Sequence, residues 1–422
     1  MRIWLIQRAE STPHDDNGNR RLMRIGILAD ILRAKGHEVI WWTSAFDHVV
    51  KKKRYQKSTR VLVKSKYYIH YLKCFGYKKN ISISRFIDDI IVSRQFEKDV
   101  QLEKIKPDMI LTSVPSIELS QKVVNYANKH NIPVVLDIRD LWPDVFFELL
   151  PKSLSWFVKI FTIPMRRKLS NICKKASYIS GITDDFIDWG IKHSERTRSE
   201  KDLCFPMAYV RENISEEKKI EAYSFWKKLG ILKNDGIINV LFIGTFTKSF
   251  EFQTVFLAAK ILQSKNAPVR FIFCGVGMRE NEIKDYCRDL NNCIFAGWIN
   301  TAQIQTILKL SDVGLAPYIH TKNFLENFPN KPAEYLSENL LIATSLKSGK
   351  LFNFINSKQC GISYGKDQHK LASFIDNLAN NKSYLHQLTK KAEEAYAEGL
   401  DGKKVYDSMA NFLEKLKIEH NH

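Results

Sequence analysis

The chain has 422 residues, too many for one ordinary core, and the usual ~100–200 residues per domain gives two domains of about 200. With 44% hydrophobic and 26% charged residues and no low-complexity tract, it belongs to the globular class, which excludes a disordered or fibrous chain. Net charge is +19 and uneven: residues 1–210 hold 37 Lys/Arg against 23 Asp/Glu, and residues 211–422 hold 28 against 23.

The seven cysteines (Cys74, Cys173, Cys204, Cys274, Cys287, Cys293 and Cys360) form no CxxC pair and no zinc-finger spacing, so they read as reduced core thiols. That favours a cytoplasmic compartment. The apolar run at Met1–Gln7 is too short for a signal peptide, and no segment offers the roughly 18 uncharged apolar residues of a membrane span. A soluble or peripheral protein is expected.

Arg2–Gln7 reads as a buried strand, followed by a polar loop with Asn17-Gly18-Asn19 and an amphipathic helix over 20–35. Gly36-His37 stops that helix and Glu38–Thr43 is the next strand, which completes a βαβ unit. Lys51–Lys79 then holds eleven Lys/Arg and no acid, interleaved with Tyr55, Tyr67, Tyr68, Tyr71, Phe75 and Tyr77. Such a segment suits nucleic acid, an anionic bilayer, a phosphorylated substrate or no partner at all. Met109–Thr112, Pro133–Asp137 and Ser177–Thr183 are further strands, with a helix over Ile117–His130. Strands spaced by helices imply a parallel sheet covered on both faces.

A polar, helix-prone bridge over 210–235 leads to a second series. Strands are expected at Ile238–Ile243, Val269–Cys274, Cys293–Ala296, Val313–Pro317 and Leu340–Thr344. Helices are expected at Phe250–Ser264, Glu280–Leu290, Ala302–Ser311 and Pro332–Glu338. The fold class is therefore α/β, with two doubly wound Rossmann-like domains. Ligands of such sheets bind outside the carboxyl ends of the strands, so the loops after Ile243, Cys274, Phe295 and Pro317 should line one crevice.

Six motifs then fall in one order: Gly36–Val39 (GHEV), Asp137–Asp144 (DIRDLWPD), Ile243–Ser249 (IGTFTKS), Cys274–Gly277 (CGVG), Phe295–Trp298 (FAGW) and Glu326–Ser345. Over nearly the whole chain the series resembles the GT-B glycosyltransferases of the large retaining family 4, and most of all the bacterial O-antigen and capsule subgroup. The resemblance implies two Rossmann-like domains facing across a cleft. Residues 1–210 would bind acceptor and 211–402 the nucleotide-sugar donor, with a C-terminal helix of about 403–422 crossing back.

Glu326 and Glu334 match the family's EX7E spacing. By that pattern Glu326 faces the donor sugar and Glu334 accepts hydrogen bonds from ribose hydroxyls, at a helix start able to hold phosphate. The plain alternatives are a loop carboxylate and a first-turn acid favoured by the helix dipole. Lys248 falls where the resemblance puts a cation against the donor diphosphate, and Lys331 is a second candidate; many relatives carry an Arg where Phe246 stands. Arg139 and Asp140 enter the cleft from the first domain, Arg139 either binding a sugar carboxylate or phosphate or pairing with Asp140. Gly18 and Gly244 are placed for close backbone approach to a ligand or for a simple turn, Gly275 and Gly277 resemble the start of a dinucleotide fingerprint, and Thr245, Trp298 and Asn330 complete the expected donor-binding set. Glu280 stands where a dinucleotide fingerprint needs its third glycine, so no cofactor is expected. No DxD triplet or metal-ligand spacing occurs, and no metal is assigned.

The function implied is retaining transfer from a nucleotide sugar, UDP-linked by expectation, to a hydroxyl of a glycan acceptor on a polyprenyl diphosphate. The basic segment Lys51–Lys79 and the apolar, basic stretch Lys152–Lys168 would meet an anionic leaflet on the cytoplasmic face of the inner membrane. Two alternatives stand beside it: a UDP-sugar epimerase-type enzyme on the same fold, and a basic nucleic-acid-binding protein, for which no motif is present. Donor specificity is expected near Phe328, Gly275 and Arg139.

Overall fold

The computed structural model describes residues 1–15, 21–79, 82–145, 147, 155–211, 214–232 and 235–420. Gly18 and Lys152, both singled out in the sequence, lie outside the described residues. The chain divides into two compact units, Met1–Pro206 with Lys404–His422, and Met207–Lys403.

The first unit runs β1 (Arg2–Ile6), α1 (Arg24–Ala34), β2 (Glu38–Ser44), β3 (Phe46–Asp47), β4 (Lys52–Lys53), β5 (Thr59–Lys64), β6 (Tyr67–Leu72), α2 (Ile83–Asp99), β7 (Met109–Val114), α3 (Ile117–Lys129), β8 (Val134–Ile138), α4 (Ser155–Lys175), β9 (Tyr178–Gly181) and α5 (Asp184–Ser194). Its seven-stranded sheet has the order β5-β6-β2-β1-β7-β8-β9. Only β5 runs antiparallel, to β6. From β6 to β9 this is the doubly wound order, with the reversal between β1 and β7. The strands read as continuous apolar runs because helices cover both faces: β7 is buried at every position, and Trp4, Trp41 and Trp42 are fully buried.

The basic segment is not the aromatic surface its composition suggests. Its tyrosines sit on or beside β6, where Tyr67 and Tyr71 are buried and only Phe75 is exposed. The rings fall on or against the buried strand β6, whereas the lysines fall on β4, at the end of β5 and in the turns, where they are mostly exposed. Composition reports both sets without separating the faces.

The second unit runs α6 (Glu216–Lys228), β10 (Ile238–Ile243), α7 (Gln253–Ser264), β11 (Val269–Cys274), α8 (Glu280–Asp289), β12 (Cys293–Gly297), α9 (Thr301–Lys309), β13 (Val313–Ala316), α10 (Lys322–Glu326), α11 (Asn330–Ser337), β14 (Leu341–Thr344), α12 (Lys350–Lys358), β15 (Gly361–Ser363), α13 (Gln368–Asn380) and α14 (Lys382–Gly399). Its six-stranded sheet, β12-β11-β10-β13-β14-β15, is wholly parallel and repeats the doubly wound order, with the reversal between β10 and β13. Phe242, Phe246, Phe250, Phe252, Phe256 and Phe273 fill one face as a linked aromatic cluster.

The last helix, α15 (Gly402–His420), packs on the first unit. Glu414 takes hydrogen bonds from Lys35 Nζ at 3.0 Å and His37 Nε2 at 2.6 Å, and Phe412 meets Phe205 at 5.3 Å between centroids. Among the described residues no helix is long and apolar enough to cross a membrane.

Candidate functional site

The second unit gathers most of the singled-out residues at the carboxyl ends of β10, β11 and β13. The reversal between β10 and β13 leaves the strand ends diverging, because the two pair only at Val240–Val313 and Leu241–Gly314. Tyr335 fills the opening. Its hydroxyl donates to the Leu315 carbonyl at 3.1 Å and accepts from the Ile243 N–H at 3.3 Å, so both backbone groups are satisfied deep in the core. A side chain on Gly314 would strike the ring, a Cβ there lying 2.2 Å from Tyr335 Cδ2. The bare Gly314 backbone thus lets α11 seat its Tyr335 at the switch point.

That seating fixes the two residues beside it. Glu334 precedes Tyr335 and is buried, with 6% of its surface accessible. The helix begins at Asn330, two residues earlier than its sequence suggests, so Glu334 is its fifth residue and not a first-turn acid. No side chain caps the helix, since Pro329 holds the cap position; the N–H groups of Asn330 and Lys331 are therefore not taken up by a capping side chain. Lys331 sends its ammonium back over the aromatic cluster, 5.6 Å from the Phe242 ring centroid and 5.0 Å from that of Phe250.

The glycine loops after β10 and β11 are laced together by backbone bonds. Gly244 N–H donates to Cys274 at 2.9 Å, Gly275 N–H to Gly297 at 2.7 Å, and Phe246 N–H to Val276 at 2.9 Å. Gly275 has φ +144°, and a Cβ there would lie 1.9 Å from the Gly244 carbonyl oxygen; Gly277, at φ +153°, would meet Phe246 O at 2.6 Å. These two glycines are required by the close approach of loop to loop. The sequence reading assigned them to a ligand alone.

Lys248 stands on an exposed turn and, among the described residues, makes no hydrogen bond or ion pair. Its loop is zipped to the exit of β13 by Ile319 N–H to Ser249 O at 3.1 Å and Glu251 N–H to Pro317 O at 2.7 Å. Phe246, where relatives carry Arg, is fully buried in the aromatic cluster and has no ligand role. Glu326 ends the one-turn helix α10, half-buried, with Lys322 Nζ at 3.6 Å. Phe328 is buried against Phe354, so its ring belongs to the core. Thr245 and Trp298 are exposed and Asn330 half-buried.

In the first unit the DIRDLWPD stretch mostly knits structure. Asp137 is fully buried and accepts two bonds of 3.0 Å from the fully buried Arg24, plus one of 2.9 Å from Ser180. Arg139 pairs with Glu10 and not, among the described residues, with Asp140. Glu10 also accepts the Ile25 N–H at 2.9 Å, which anchors it to the start of α1. Asp140 takes the Leu141 N–H at 2.8 Å, and Asp144 holds Arg166 at 2.6 Å and Trp189 Nε1 at 2.9 Å. Sequence reasoning missed Glu10, Arg24, Tyr335 and Gly314. Tyr335 could have been found beside Glu334, but nothing in the sequence pairs Glu10 with a residue 129 positions away. Among the described residues no group of three or more His, Cys, Asp or Glu could hold a metal ion.

Residues 227–395 match the sequence family described as glycosyl transferases group 1. Among solved structures, sucrose-phosphate synthase from Thermosynechococcus elongatus is similar at 14% identity and a TM-score of 0.70, covering 98% of each chain. HepE from Anabaena, solved with UDP and glucose, gives 12% identity and 0.61 over 98% of this chain and 100% of its own. WaaG, a glycosyltransferase involved in lipopolysaccharide biosynthesis, gives 13% and 0.57 over 97% and 99%. No protein of curated function matches the sequence. The chain therefore has the GT-B fold, two α/β units with parallel sheets, and the matched region lies within its second unit. The match is to glycosyl transferases, which does not favour the epimerase alternative.

Proposed function

We propose that the chain is a glycosyltransferase whose second unit binds a nucleotide diphosphate sugar, UDP-linked by preference, and whose first unit presents a glycan acceptor. The observation that carries this reading is the seating of α11 at the switch point, with Glu334 buried beside Tyr335 and Lys331 turned toward the glycine loop. A buried carboxylate suits ribose hydroxyls, while Lys331, Lys248 and the N–H groups at the start of α11 suit a diphosphate. Charge develops on that diphosphate as the glycosidic bond breaks, so fixed cations favour the transition state over the ground state. Glu326 would face the sugar.

Transfer would proceed with retention, attack and departure occurring on one face, and without a metal, since the cations supply the charge. The acceptor would be a sugar on a lipid diphosphate used in cell-surface polysaccharide synthesis, at the cytoplasmic face of a membrane. Exposed Trp156, Ile160, Phe161 and Ile163 on α4, with Lys159 and Arg167, support a peripheral contact. The test is a thermal-shift titration with UDP-, GDP- and ADP-sugars. At about 100 Kd a bound donor stabilises by about 2.7 kcal/mol, and a UDP-sugar is expected to do so. If no nucleotide sugar raises Tm, or if donor alone is converted to its epimer, the reading fails.

A further inference from the structure

Two of the seven thiols are not isolated in the core. Ile283, Cys287 and Leu290 are spaced four and three residues apart, so they lie on one face of α8 and its C-cap, and that face packs on the aromatic core of the second unit. Leu290 ends the helix, and the Cys293 N–H donates to its carbonyl at 3.0 Å, which turns the chain back beneath the last turn. Asn292 pins that return: its carbonyl accepts the Phe271 N–H at 2.8 Å and its Nδ2 donates to the Ala259 carbonyl at 2.9 Å. Cys293, the first residue of β12, is thereby set against Cys287, and its thiol donates a hydrogen bond to the Cys287 sulfur.

The two sulfurs are not equivalent. Cys287 is half-buried and within reach of solvent, whereas Cys293 is buried. The bond to Cys287, and then burial, hold the Cys293 proton far more tightly than a free thiol does, so Cys293 remains the donor of the pair. Among the described residues no other cysteine meets a second thiol. Cys74, Cys173, Cys274 and Cys360 are buried, and burial pushes the half-buried Cys204 up to about 11. At their other ends α8 and β12 support the glycine loops of the candidate site: the Glu280 N–H donates to Gly277 at 3.1 Å, and the Gly297 carbonyl takes the Gly275 N–H at 2.7 Å.

We propose that Cys287 and Cys293 form a redox-modification site: a small peroxide oxidises Cys287, and Cys293 resolves it to a disulfide that ties the end of α8 to the start of β12. The Cys287 sulfur attacks one peroxide oxygen, forming an S–O bond as the O–O bond breaks, and the leaving hydroxide takes the Cys287 proton to become water. The Cys293 sulfur then attacks the Cys287 sulfur, forming the S–S bond as the S–O bond breaks, and the second hydroxide takes the Cys293 proton. Two thiols lose two electrons in all, and the peroxide gains them to give two waters. Cys293 gives up its tightly held proton only to that second hydroxide, so the pair stays reduced until Cys287 has reacted. The disulfide would stiffen the two elements that carry Gly277 and Gly297. None of this rests on the glycosyl-transfer reading.

The reduced full chain is treated with hydrogen peroxide, its remaining thiols are alkylated after denaturation, and its peptides are mapped by mass spectrometry with and without dithiothreitol. Wild type is expected to give a reducible link between Cys287 and Cys293 within one chain, with the other five cysteines alkylated. Cys287 is expected to react about tenfold or more faster than Cys204. Cys293→Ala should stop at the Cys287 sulfenic acid, trapped by dimedone, while Cys287→Ser leaves Cys293 a thiol and Cys204→Ser forms the link as wild type does. Amide hydrogen exchange across α8 should slow on oxidation of wild type and not of Cys287→Ser. Cys287 and Cys293 left unlinked in treated wild type, a link formed only between chains, oxidation of Cys204 ahead of Cys287, or exchange unchanged by the link would each overturn the proposal. The link and the relative rates are read in wild type alone, so a variant that fails to fold leaves the test decisive.

Discussion

The ammonium of Lys331 occupies the space a side chain on Gly244 would claim: a Cβ there would stand 2.6 Å from both Lys331 Cε and Nζ, at φ +153°. Gly244 is thus the floor against which the cation rests. Gly244→Ala is expected to displace Lys331 and weaken UDP binding about tenfold, and Lys331→Gln to do the same with Gly244 intact. Calorimetric titration with UDP checks both. Wild-type affinity in Lys331→Gln would remove this cation from the donor site.

On the proposed reading, Glu334 would separate a ribose contact from the phosphate contact. Glu334→Gln keeps the volume and removes the charge, so affinity for UDP should fall by about tenfold while inorganic pyrophosphate, which has no ribose, binds the second unit unchanged. Parallel loss of both ligands would assign Glu334 to general stability instead of recognition.

The fold was legible because its signals are periodic and local. Ile238–Ile243 and Val269–Cys274 are strands at the positions their apolar runs give, and α3 ends one residue short of expectation at Lys129. At the candidate site, placement was legible where residue and element coincide, as for Glu334 on α11. Partners distant in sequence were not: Arg139 meets Glu10 and Arg24 meets Asp137 because β1, α1 and β8 converge, a fact of topology that no spacing records. The expected start of α11 at Pro332 followed the preference of proline for a first turn. It missed that Asn330 and Lys331 already hold helical geometry ahead of it.

Tyr335 carries a structural prediction independent of activity. Tyr335→Phe keeps the ring against Gly314 but leaves the Ile243 N–H and the Leu315 carbonyl without the hydroxyl that joins them. Stability should fall by about 1–3 kcal/mol, measured by urea denaturation with an unchanged slope. A loss below about 0.5 kcal/mol would mean that another group satisfies both.

His48 supplies a pH dependence with a definite sign. Its folded pKa is pushed down to about 4 by burial and by Lys51, Arg85 and Arg8, while the unfolded value is about 6.5. Between these values the unfolded chain binds the proton and the folded chain does not, so stability falls as pH drops from about 6.5 to about 4 and is flat outside that window. His48→Gln removes the titrating ring, and the difference between its stability curve and that of wild type isolates His48 from every other group. Denaturant melts at pH 7, 6, 5 and 4 are expected to show the wild type losing more stability than the variant on acidification. Parallel curves would mean that His48 titrates alike in both states, and that neither burial nor Lys51, Arg85 and Arg8 disfavours its protonated form.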